Sequence, residues 1–136
     1  MTALNELKNK YDIDYSINLV EDSFLKDVEE TLKLKLGPEL REYITRFGHI
    51  EYEYLEFMGV NSSEKMNSDM IRITLRLHEA HEKTKKFIAF EDVADNVYTL
   101  IDSNDFAYRY DAVLDEEPVF IGKKLSEYIE ERIKNA

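Results

Sequence analysis

Apolar residues recur along this chain with two different periods, and the points where the period changes divide it into elements. Phe24, Leu25, Val28 and Leu32 follow Asp22 and Ser23 at helical spacing. A first helix is expected there, with either polar side chain as N-cap and Glu29 and Glu30 facing water. Leu34, Lys35 and Leu36 read as a connector. Gly37-Pro38 then restarts a helix with proline in its first turn, where the missing N–H costs nothing. Leu40, Tyr43, Ile44 and Phe47 form the apolar stripe of this second helix, and Gly48 is its expected C-terminal cap.

Beyond Gly48 the period becomes that of a strand, Ile50 to Met58, ending at Gly59 and the polar run Asn61-Ser62-Ser63. Its pattern is irregular, because Glu51, Glu53 and Glu56 interleave with Tyr52, Tyr54 and Phe57. Strict alternation would place Glu56 beside Tyr52 and Tyr54, and would send Leu55 and Phe57 to the face of Glu51 and Glu53. A bulge near Tyr54 or Leu55 would bring Tyr52 and Phe57 together and the glutamates towards the other side. Without one, Glu56 needs an arginine or a backbone N–H. Either way the stretch reads as a core strand with an acidic outer edge.

Met70, Ile71, Ile73, Leu75 and Leu77 fit neither period fully: Met70, Ile73 and Leu77 match a helix, whereas Ile71, Ile73, Leu75 and Leu77 match a strand, and a helix from about Ser68 to His81 is favoured. Strands follow at Phe87 to Phe90, Val97 to Asp102 and Phe106 to Tyr110. The Asp102-Ser103-Asn104-Asp105 turn makes the last two antiparallel. In the last of them Phe106, Tyr108 and Tyr110 share one face. Pro118 introduces Val119 to Ile121 as an edge strand, and Leu125, Tyr128, Ile129 and Ile133 mark a closing helix. Helices at both ends of a mainly antiparallel, twisted sheet make an α+β fold. A single domain spans residues 1–136, with its core at about 23–133 and residues 1–20 as an N-terminal extension.

The 136 residues, 43% of them hydrophobic, suffice for one core. The polar start MTALNELKNK and the lack of a long apolar run point to a soluble, cytoplasmic protein. With no cysteine, disulfides and thiolate chemistry are excluded. The net charge of −11 argues against direct binding to nucleic acid or to anionic membranes, and favours a basic protein partner. From Glu91 to Glu117 there are nine acidic residues against Arg109 alone, so most of the net charge resides there.

Local signatures of catalysis are absent from the sequence. No serine lies in a Gly-x-Ser-x-Gly context, and the isolated glycines make no phosphate loop. His78 and His81 would share a helix face, but the lysines after HEAHEK mark a solvated helix end rather than a metal site. His49 stands where a histidine can meet the last carbonyls of the preceding helix. No catalytic residue, metal or cofactor is expected. What remains is surface: carboxylates that select a basic partner, and tyrosines that give contact area at low entropic cost. The candidate partner-binding residues are Glu51, Glu53, Glu56, Asp92, Asp95, Asp102, Asp105, Tyr108, Tyr110, Asp115, Glu116 and Glu117.

The order of these pieces resembles the SMI1/KNR4, or SUKH, superfamily. The likeness rests on Pro38, Leu40, Tyr43, Phe47 and Gly48, the Gly59-Val60 pair after the strand, the turn at Asp102, and the aromatic strand ending at Asp111. It covers about Ser23 to Ile133. Two departures are Gly37-Pro38 where a Leu-Pro pair is usual, and His49 where many members have Asn or Gly. The resemblance implies no catalytic motif. It implies a bacterial immunity protein that binds and neutralises a cognate toxin, often a nuclease. The alternative is a general interaction or regulatory module without a toxin.

Overall fold

The computed structural model of the protein describes residues 2–16 and 20–136. Helix α1 (Ala3–Lys10) starts at Thr2, whose hydroxyl accepts the Asn5 N–H at 3.3 Å, and it buries Leu4 and Leu7. Of the N-terminal segment, Leu4, Leu7 and Ile13 sit in the hydrophobic core; α1 lies against the closing helix, and Tyr11 donates to Glu130 at 3.0 Å. Residues 1 and 17–19 of that segment lie outside the described residues. Strand β1 (Asp14–Tyr15) follows, too short to show a period.

Helix α2 (Asp22–Leu32) begins one residue earlier than its polar residues suggest. Its N-cap is Glu21, whose carbonyl, not its side chain, receives the first helical N–H groups. Glu29 does not stay in water; it accepts the Leu36 N–H at 2.8 Å and pairs with Arg41 at 3.2 Å, which pins the connector. Helix α3 (Pro38–Glu42) has its proline in the first turn as expected and widens into a π turn over Tyr43–Phe47 that ends at Gly48, φ 72°.

The expected single strand from Ile50 to Met58 is instead a tight hairpin of β2 (Ile50–Tyr52) and β3 (Leu55–Glu56), reversed at Glu53-Tyr54. Reversal, not a bulge, resolves the irregular pattern. Glu53 takes φ 52°, Ile50, Leu55 and Phe57 all reach the core, and the glutamates point out. Helix α4 (Asp69–Ala80) occupies the ambiguous segment and buries Met70, Ile71, Thr74 and Leu77.

Strands β4 (Ile88–Ala94), β5 (Val97–Ile101), β6 (Phe106–Asp111) and β7 (Val119–Lys124) form an antiparallel meander in that order. Helix α5 (Leu125–Lys134) closes the chain, burying Leu125, Tyr128, Ile129 and Ile133. The fold is α+β with two sheets, since β1, β2 and β3 form a separate three-stranded sheet. Phe90 at the core centre contacts the rings of Tyr43, Phe57 and Tyr128, joining the two sheets and both flanking helices.

Two glycines take their identity from close approach. A Cβ on Gly59 would lie 1.8 Å from the Gly48 carbonyl oxygen, so the backbones before and after the hairpin touch. A Cβ on Gly37 would lie 2.3 Å from the Asp105 carboxylate. That carboxylate accepts the Glu39 and Leu40 N–H groups at 2.9 and 3.0 Å, capping α3 from a turn 65 or more residues further along the chain.

Candidate functional site

The hairpin forms one wall of a cleft with a volume of ≈ 750 Å³. Its position is fixed from beneath by Tyr43, whose buried hydroxyl donates to the Met58 carbonyl at 2.8 Å and accepts the Ile50 N–H at 3.1 Å. Burial pushes the Tyr43 phenol well above its ordinary range, so it stays a neutral donor. Held in this way, β2 and β3 pair Glu51 with Glu56, and β1 pairs Asp14 with Glu51. Three carboxylates thus stand side by side across three strands. Like charges directly opposite one another destabilise a sheet. Among the described residues only His49 answers them, with Nε2 3.4 Å from Glu51, while its Nδ1 meets the Ser16 hydroxyl at 3.0 Å. The His49 ring therefore does not serve the carbonyls of the preceding helix. Among the described residues no ion pair reaches Asp14 or Glu56.

The facing wall comes from the start of α4 and from β4. Ser68 and Asp69 draw the Asn61 and Gly59 N–H groups to 2.8 and 3.1 Å, which sets the entry of α4 and directs Arg72 to the rim. The floor includes Glu91 and Arg132. Glu91 is 3% exposed and accepts from Tyr128 at 2.6 Å and from Arg132 Nε and Nη2 at 3.0 and 2.6 Å. The fork geometry suits a carboxylate taken out of water. Burial and the neighbouring Glu91 charge hold the Tyr128 phenol above its ordinary range. Tyr54, 70% exposed, stands at the mouth as an aromatic side chain open to solvent. The cleft offers acid, one exposed arginine and an aromatic rim, the makings of a protein contact surface.

Of the residues singled out in the sequence, Glu51, Glu56 and Asp92 come together here. Glu53 sits on the hairpin turn and Asp95, with φ 54°, on the turn between β4 and β5. Asp102 is partly buried and accepts the Asn104 and Phe106 N–H groups at 2.9 and 3.0 Å, a turn-forming role. Asp105 and Tyr110 are 1% exposed and so offer no surface. The first caps α3; the second donates its hydroxyl to Asp115, the hydrogen bond that chiefly holds the Asp115 carboxyl below its usual range. Tyr108 is half-buried in a chain of rings with Phe87 and Phe120. Asp115, Glu116 and Glu117 lie exposed on the loop before β7. Sequence reasoning missed Asp14, which strand pairing brings beside Glu51, and Arg72, which the α4 entry brings to the cleft.

His78 in α4 and His81 at its C-cap have other engagements. His78 Nε2 lies 2.7 Å from the Phe87 carbonyl, and His81 packs on Tyr110 with Nδ1 3.5 Å from Asp115. Among the described residues no group of His, Cys, Asp and Glu is arranged to hold a metal ion, and no helix is long and apolar enough to cross a membrane.

No curated protein matches the chain. A family model described as SMI1-KNR4 cell-wall does match, over residues 2–134. That range takes in α1 and β1, the two elements the resemblance read from the sequence left out, and it holds every residue of the cleft. With nearly its whole length matched and the α+β architecture in place, the chain belongs to the SMI1/KNR4 (SUKH) family.

Proposed function

We propose that this protein is a bacterial immunity protein, cytoplasmic and without enzymatic activity, that binds a cognate toxin domain of the nuclease class through the acidic cleft and the hairpin beside it. The observation carrying this reading is the carboxylate row Asp14, Glu51 and Glu56, which among the described residues has no ion-pair partner but the His49 ring. Such a row costs stability in the free protein and is stabilised when a basic surface covers it. A nuclease presents that surface, because the face that grips a phosphate backbone is lined with Lys and Arg. Tyr54 and Arg72 add the aromatic and cationic anchors typical of tight contacts. Family membership adds support, since the family includes immunity proteins. Co-expression tests the reading. The chain should rescue cells from the toxin encoded beside its gene and form a complex with it, and charge reversal at Glu51 and Glu56 should abolish both. If no complex forms and no rescue occurs with that toxin, the proposal fails.

A further inference from the structure

The two edges of the four-stranded sheet are treated differently. The β4 edge is covered: the Phe90 carbonyl accepts the Met58 N–H at 2.7 Å, and the Ala89 N–H reaches the Thr74 hydroxyl at 2.9 Å. The β7 edge is bare. Among the described residues, no backbone hydrogen bond links Val119 to Lys123 to anything beyond β6. Its side chains are open as well, Val119 being 63% and Phe120 55% exposed. Proteins usually blunt such an edge with charge, proline or a covering loop, because unpaired N–H and C=O groups recruit another strand. Here the charges stand only at the two ends, and the apolar middle is free.

The order of those charges identifies the strand that fits. Residues 116–124 read Glu-Glu-Pro-Val-Phe-Ile-Gly-Lys-Lys. Laid antiparallel on a second copy with Phe120 opposite Phe120, the segment sets Glu116 against Lys124, Glu117 against Lys123, and Val119 against Ile121. In a two-fold pair every contact occurs twice, so four opposite-charge contacts flank an apolar centre. A slip of one residue in either direction breaks one of the two charge pairs in each half. Pro118, which has no N–H to give, falls opposite Gly122, whose φ of 81° already takes it out of regular strand geometry. Lys123 holds Glu131 at 3.0 Å in the single chain. That is a surface contact of small worth, so its ammonium can take a second carboxylate.

We propose that two copies of this chain pair antiparallel along β7, centred on Phe120, joining their two four-stranded sheets into one continuous sheet. The pairing uses Glu116 and Glu117 and none of the cleft residues, so it stands or falls independently of the toxin reading.

Sedimentation equilibrium of the full chain, with charge exchange in register, tests it. The parent should show a monomer–dimer equilibrium. Lys123→Glu with Lys124→Glu should raise the dimer Kd by about tenfold or more, since four attractive contacts become repulsive, and so should Glu116→Lys with Glu117→Lys. Combining all four substitutions should restore the parent Kd, which only direct contact between these positions can do. Phe120→Asp, at an exposed position, should leave the fold intact and abolish the dimer. A parent that stays monomeric at about 0.5 mM, well above the Kd range of specific assemblies, overturns the proposal. So does a dimer that ignores the charge reversals, or a fourfold variant as weak as either double variant.

Discussion

Replacing Arg132 with alanine isolates the ion pair whose carboxylate is the most deeply buried among the described residues. Glu91 would keep only the Tyr128 hydroxyl as donor, losing both arms of the guanidinium fork while staying 3% exposed. Removing one partner of a buried ion pair costs about 3–5 kcal/mol, because the other charge is left without compensation. Arg132 is itself 31% exposed, so water can enter where its head group stood. That lowers the expectation to about 2–4 kcal/mol. For a chain of this length 1 kcal/mol corresponds to about 3.5 °C, and the midpoint of thermal unfolding should fall by about 7–14 °C. Arg132→Lys keeps the charge and loses the fork, and should cost about 1 kcal/mol. Replacing both partners with apolar residues, Glu91→Leu with Arg132→Met, should recover most of the loss, because no charge then remains to be solvated. Urea unfolding of the parent, these three variants and the exposed control Lys134→Ala at constant pH supplies the comparison. If Arg132→Ala costs no more than the exposed control Lys134→Ala, the carboxylate is already solvated and the reasoning is wrong.

Three further outcomes are expected. Glu56→Lys should raise the stability of the free protein by about 0.2–1 kcal/mol, as it turns a like-charge pair with Glu51 into an attractive one, while weakening capture of the toxin; thermal unfolding and calorimetric titration read the two signs, and a variant that loses stability or binds as before contradicts the role given to the row. Gly59→Ala should cost about 3 kcal/mol in urea unfolding, since its Cβ meets backbone atoms of Gly48 and not a side chain that can swing away; a cost below about 1 kcal/mol would mean the two segments separate easily. The Asp115 carboxyl is held below its usual range in the folded state, chiefly by the Tyr110 hydroxyl, so its contribution is complete above the unfolded carboxylate pKa of about 4 and is lost as pH falls towards the folded value. Asp115→Asn should therefore flatten the acid limb of stability, and an unchanged limb in a pH series of urea midpoints would refute the linkage.

How much of this was legible in the sequence depended on whether a residue acts locally or across the fold. The stripe from Leu40 to Phe47, the proline at the start of α3, the α4 helix and the turn at Asp102 are set by neighbours in sequence, and periodicity and turn chemistry found them. Asp105 shows the limit. Its place in a D-S-N-D turn marks it as a surface acid, yet its carboxylate reaches the N–H groups of Glu39 and Leu40, across 65 or more residues of chain. That contact also explains why position 37 is glycine, a fact with no local cause. The same distinction separates the hairpin from the single strand that the periodicity predicts. Glu53 and Tyr54 carry no Asn-Gly signal, so the reversal depends on Tyr43 gripping both ends of the segment from below. Once the chain reverses there, Glu51 and Glu56 must stand side by side, and β1 adds Asp14. Acids scattered over more than 40 positions become one row through pairing alone. The acidic composition raises the expectation of a basic partner, whereas the carboxylate row proposed to meet it follows from the register of three short strands.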